Sequence, residues 1–118
     1  MAAPNLKQPV TITGKTALYV CTASLGSALD NGASSGKVVK LNTIRAANTT
    51  TSGVKIDVTI FRGSTHYYII EGADVPPYSS LVVIDKNEYI YLEEGDSIYA
   101  SASTTSVVHL TLHYEEIS

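Results

Sequence analysis

The sequence predicts an all-β domain: a two-sheet antiparallel sandwich of about eight strands with jelly-roll or Greek-key connections. Three observations predict it. β-Branched residues and tyrosine are abundant, with eight Tyr among 118 residues, no Trp and a single Phe, and such residues suit a pleated, half-buried surface. Apolar and polar positions alternate with period two through at least six segments. Clusters of Gly, Pro, Asn and Ser punctuate those segments.

Length and charge narrow the function classes. A chain of 118 residues is one domain, able to bury a core without metal or disulfide staples. The net charge of −3 offers no basic face for nucleic acid. No apolar run approaches the roughly 20 residues that cross a bilayer, and Met1–Gly14 has no apolar stretch of the secretory kind. Neither nucleic acid nor membrane is therefore expected as a partner. Cys21 is the sole cysteine. Its apolar surroundings, LYVCT, predict an inert core thiol, and the chain fits synthesis in a reducing cytoplasm.

Taken in order, residues 1–14 hold Pro4 and Pro9 and little apolar content. They read as an extended N-terminal arm with one short strand possible at Val10–Thr13, and the sandwich proper is expected over 15–118. Thr16–Thr22 is the first firm strand. Residues 23–36, rich in Ser, Ala and Gly, read as a long surface loop. Lys37–Ala47 is a strand whose apolar parity switches between Leu41 and Ile44, which predicts a β-bulge near Asn42–Thr43. Asn48–Gly53 is a polar turn; its Asn48-Thr49-Thr50 matches the glycosylation triplet, discounted without a secretory signal.

Val54–Arg62 alternates cleanly. A two-residue Gly63-Ser64 loop, with Gly first, predicts a type II′ hairpin that sets Ile60 opposite Tyr67 and Val58 opposite Ile69. Glu71–Asp74 follows as a connection, and Pro76-Pro77 forces an edge or crossover. Ser79–Asp85 and Glu88–Leu92 are strands flanking a Lys86-Asn87 turn. Glu93–Asp96 is a turn with Gly95 free to take positive φ. Asp96–Ser103 follows; if it pairs with Glu88–Leu92, parity puts Tyr99 beside Tyr89 or Tyr91 on one outer face. The last strand, Val107–Glu116, turns Val108, Leu110, Leu112 and Tyr114 to one side and His109, Thr111 and His113 to the other.

Candidate chemistry is sparse. His109 and His113 lie about 13 Å apart on a strand at roughly 3.4 Å per residue, too far to share one zinc. A metal site would need His66 and a carboxylate from elsewhere. Glu93, Glu94 and Asp96 match no calcium loop and read as turn residues. No serine sits in a nucleophile-elbow pattern, so no enzyme, metal or cofactor is expected. Tyrosine carries the sharper signal, because a large, rigid, amphipathic side chain on a sheet surface makes a good contact residue.

The run PPYSSLVVIDKNEYIYLEEGDSIYASAS, followed by VVHLTLHYEEIS, resembles a group of small virion proteins of tailed bacteriophages. It is particularly similar to those of phages of cyanobacteria and other aquatic bacteria. The shared pattern falls here on Val38–Ile44, Asn48–Ser52, Val54–Ile60, Pro77–Leu81 and Leu92–Ile98, and covers about residues 37–118. The first third departs from it through the small-residue loop 23–36. The resemblance implies a non-enzymatic virion component repeated by symmetry.

The expected function is a capsid decoration (cement) protein. It would bind the outside of the major capsid lattice as a homo-oligomer, a trimer among the possibilities. The expected contact residues are Pro4, Leu6 and Pro9 of the arm, Tyr89, Tyr91 and Tyr99 of the aromatic face, and His109 and His113. A tail, neck or baseplate component is the first alternative, and a carbohydrate-binding module or small hydrolase the second.

Overall fold

The computed structural model describes residues 9–118. Nine antiparallel strands form two sheets: β1 (Ile12–Val20), β2 (Gly26–Asp30), β3 (Val38–Asn48), β4 (Val54–Arg62), β5 (Thr65–Val75), β6 (Ser80–Ile84), β7 (Ile90–Leu92), β8 (Ser97–Ala102) and β9 (Val108–Ile117). One sheet runs β1-β9-β3, with β6 and β7 sharing the far edge of β3. The other runs β2-β8-β4-β5. Apart from the β4–β5 hairpin and the β6–β7 step, every connection crosses between the sheets. That is the jelly-roll-like sandwich the alternation predicts.

Alternation decides what is buried. The inward residues Leu41, Ile44, Ala46, Leu110 and Leu112 of the first sheet meet Val54, Ile56, Val58, Ile98 and Ala100 of the second, all essentially sealed from solvent. Cys21 belongs to this core, and burial pushes its thiol up to about 11. The expected bulge is present: the β3–β9 register shifts between Leu41 and Thr43, and the extra residue Asn42 donates to Glu115 at 3.2 Å.

Six expectations are corrected. Residues 23–36 are not one loop, because Gly26–Asp30 pairs with β8 and buries Leu29. Gly26 is there for contact: a Cβ would sit 2.1 Å from the Tyr19 hydroxyl. The boundary expected between arm and sandwich falls inside β1, and Val10 and Thr11 already bond to Ser118. Gly63 and Ser64 both have positive φ (57° and 73°), the type I′ rather than the type II′ pattern.

Ile60 does face Tyr67, but Val58 faces Ile70, not Ile69. One register shift, between Val58 and Thr59, intervenes; a second, between Ile56 and Val58, falls at Gly72, with φ 64° and its N–H on the Asp57 carboxylate at 2.7 Å. Strand β5 therefore runs through Glu71–Asp74 instead of stopping before it. Finally, β7 and β8 do not pair; β7 bonds to β3 and β8 lies between β2 and β4.

Two buried asparagines clip the sheets together. Asn31, at the end of β2, donates to the carbonyls of Lys37 and Leu92, each at 3.0 Å. Asn48, closing β3, donates to Ser52 and Val75 at 2.8 and 3.0 Å and accepts from the Thr50 N–H at 3.0 Å. With its amide turned inward, Asn48 presents nothing to a glycosyl donor.

Candidate interaction surface

The outer face of the β1-β9-β3 sheet collects four of the eight expected contact residues, Tyr89, Tyr91, His109 and His113. The register places Thr16, Leu18 and Val20 beside His113, Thr111 and His109. Those three in turn lie beside Thr43, Arg45 and Ala47, and Val82 follows next to Arg45. Leu18 is 79% exposed, with Val20 and Val82 each close to half exposed. A shallow hollow of about 320 Å³ opens between β1 and β9, lined by Leu18, Tyr19, Val20, His109, Leu110 and Thr111.

Toward the other end of the same face, Lys40 stands beside Tyr91 and Glu115. Tyr89 and Tyr91 pack edge to face with centroids 5.5 Å apart, and the Lys40 ammonium lies 4.4 Å from the Tyr89 centroid. Rings held this way lose little further freedom on meeting a partner, while their edges and hydroxyls remain accessible.

Tyr99 does not join them. It lies on the outer face of the other sheet, where it forms a three-ring cluster with Phe61 and His66 at 5.1 and 5.0 Å. The parity placing Tyr99 outward holds, but outward from β8 is the opposite side of the slab. The cluster itself escaped the sequence reading, although Thr59, Phe61, His66 and Tyr68 occupy the supposedly polar parity of the β4–β5 hairpin. His66 Nδ1 is 2.9 Å from Thr59 Oγ1. Thr59 is fully buried, so no substrate reaches that hydroxyl.

Pro4 and Leu6 lie outside the described residues, and Pro9 is partly buried just before β1. Among the described residues no group of three or more His, Cys, Asp or Glu is arranged to hold a metal ion. The acids of the 93–96 turn are occupied locally. Asp96 accepts a two-pronged Arg62 contact at 2.8 and 2.5 Å and the Glu93 N–H at 2.8 Å, while Glu94 accepts the Gly36 N–H. Burial pushes the Asp96 carboxyl upward, but Arg62 and the Glu93 N–H outweigh it and hold the group below the usual range. On β9, Glu116 bridges Lys15 and Lys37 at 3.0 and 3.2 Å. Its carboxyl is lowered chiefly by the Lys15 hydrogen bond.

No family model matches the chain, and no curated protein matches it. Among solved structures it is similar to the nucleoplasmin-like N-terminal domain of Drosophila FKBP39, with 12% identity over 91% of each chain and a TM-score of 0.48.

Proposed function

We propose that this chain is a non-enzymatic structural protein of a bacteriophage particle, a decoration protein that binds the capsid lattice as a homo-oligomer. The observation that carries this reading is the outer face of the β1-β9-β3 sheet. On a rigid platform it combines a pre-packed tyrosine pair, cations at Lys40 and Arg45, two exposed histidines and exposed Leu18, Val20 and Val82. Aromatic and apolar anchors among polar groups are the composition of a protein contact surface. The resemblance of residues 37–118 to small phage virion proteins supports the setting, and the residues before β1 are the docking arm of the same reading.

A protein of this kind acts by linkage: it binds the assembled lattice more tightly than free subunits, so its binding energy opposes rupture. The test is quantitative mass spectrometry and imaging of purified particles. Hundreds of copies on the head surface are expected. A handful of copies at a neck or baseplate would move the protein to the tail, and absence from particles would end the proposal.

A further inference from the structure

The sandwich has several sheet edges, and all but one are blunted. On the far edge of the first sheet, β6 is five residues long with a register shift, and β7 has three residues. At the edges of the second, β2 is short and irregular, and the pairing of β5 shifts twice. Short length and bulges of this kind protect an edge from further pairing. Strand β1 has neither device. Its nine residues pair one to one with β9 without a shift, and no described residue pairs with its other side.

The direction of its free groups follows from the ladder. Thr11 and Ser118 exchange both backbone bonds, so in this antiparallel pair the odd-numbered residues of β1 bond inward to β9. The N–H and C=O groups of Ile12, Gly14, Thr16, Leu18 and Val20 therefore point out of the sheet. We infer that a second copy of this chain docks there, β1 pairing antiparallel with its own counterpart about a two-fold axis at Thr16.

In that register all nine residues overlap. Val20, close to half exposed, meets Ile12 of the second copy, itself 55% exposed. Leu18 lies over Gly14, where a side chain would have open space and none exists. Lys15, the sole charge of β1, is neutralised by Glu116 within its own molecule and faces Ala17 of the copy, so like charges never oppose. The five outward residues supply about ten backbone hydrogen bonds, the number typical of a specific interface. Moving the axis by one residue to Ala17 sets Val20 against Gly14 and leaves Ile12 unpaired. The self-complementarity selects a second copy over a foreign strand.

This deepens the assembly reading by naming the partner, and it rests on that reading for its setting. Sedimentation velocity over a concentration series tests it on the full chain, with Thr16→Pro, Leu18→Lys and Thr16→Cys variants. A dimer is expected for the wild type. Thr16→Pro removes an outward N–H that bonds no described residue, and Leu18→Lys places a charge on the edge. Both are expected to be monomers with unchanged circular dichroism. Thr16→Cys should cross-link across the axis under mild oxidation, since a bonded antiparallel pair has Cα atoms about 5.5 Å apart, within disulfide range. A monomeric wild type, or an oligomer that survives both edge substitutions and does not cross-link, overturns the inference. A β1-paired dimer absent from phage particles would instead overturn the function proposed above and leave this interface standing.

Discussion

Truncating one buried amide should cost more than any surface change in this molecule. In Asn48→Ala the backbone bond from the Asn48 N–H to Ser79 survives. The side-chain bonds to Ser52, Val75 and Thr50, at 2.8, 3.0 and 3.0 Å, all disappear. At about 1 kcal/mol net per hydrogen bond, with a further penalty of about 1 kcal/mol for the Val75 carbonyl left buried and unpartnered, the loss is about 3–4 kcal/mol. Against a total of roughly 0.1 kcal/mol per residue that is a large share. Urea unfolding followed by far-ultraviolet circular dichroism, with a slope of about 2 kcal/mol/M, should show the midpoint falling by about 1.5–2 M. Asn48→Asp sharpens the test. A carboxylate facing two carbonyls is favoured only when protonated, which raises its folded-state pKa above the unfolded one. That variant should therefore be most stable in acid and lose stability as pH rises. A loss below about 1 kcal/mol for Asn48→Ala, or an Asn48→Asp variant insensitive to pH, would refute the view that this amide clips the sheets.

Four further outcomes are expected. Arg62→Met leaves the buried Asp96 carboxylate without its guanidinium, and because Arg62 is half exposed the cost is discounted to about 1–3 kcal/mol at neutral pH. The native carboxyl is lowered, so its contribution is present above the unfolded carboxylate range and fades as pH falls through the folded value. Thermal melts across the acid range should accordingly show wild type and variant converging. Cys21, buried with a raised thiol, should resist an aromatic disulfide reagent in the folded protein and react at once in denaturant. Ser64→Gly relieves a left-handed non-glycine residue in the β4–β5 turn and should raise stability by about 0.5–1 kcal/mol in the same urea assay. Tyr89→Ala and Tyr91→Ala should leave the melting temperature almost unchanged yet weaken particle binding by about tenfold or more each, measured by co-sedimentation with undecorated heads.

The fold class, the β3 bulge and the Ile60–Tyr67 facing pair were legible because each depends on residues close in sequence. Parity switching between Leu41 and Ile44 needs an inserted residue whatever the partner strand is. The same local logic failed where backbone geometry is settled by a neighbour. Gly72 reads as turn punctuation, but the Asp57 carboxylate holds its N–H within β5 and converts a break into a bulge. Gly26 reads as a loop glycine, although its missing side chain is what admits the Tyr19 hydroxyl from another strand. Neither Asp57 nor Tyr19 is visible from the local pattern, and the buried roles of Asn31 and Asn48 were hidden in the same way.

The misplacement of Tyr99 has a different origin. Parity within β8 was right, with Ile98 and Ala100 inward and Tyr99 outward. What failed was the condition attached to it, that Glu88–Leu92 and Asp96–Ser103 pair with each other. Here the turn between them is pinned to the β2-β8-β4-β5 sheet, by Arg62 of β4 on Asp96 and by the Gly95 N–H on the carbonyl of Asn31, just after β2, at 2.7 Å. The chain therefore leaves one sheet at Leu92 and enters the other at Ser97. Two consecutive outward tyrosines on either side of such a turn must point to opposite sides of the slab. The aromatic residues thus form two separate surfaces, the Tyr89–Tyr91 pair on one sheet and the Phe61–His66–Tyr99 cluster on the other. A Tyr99 substitution belongs to a different contact from a Tyr91 substitution, and the two should act additively if each surface meets its own neighbour.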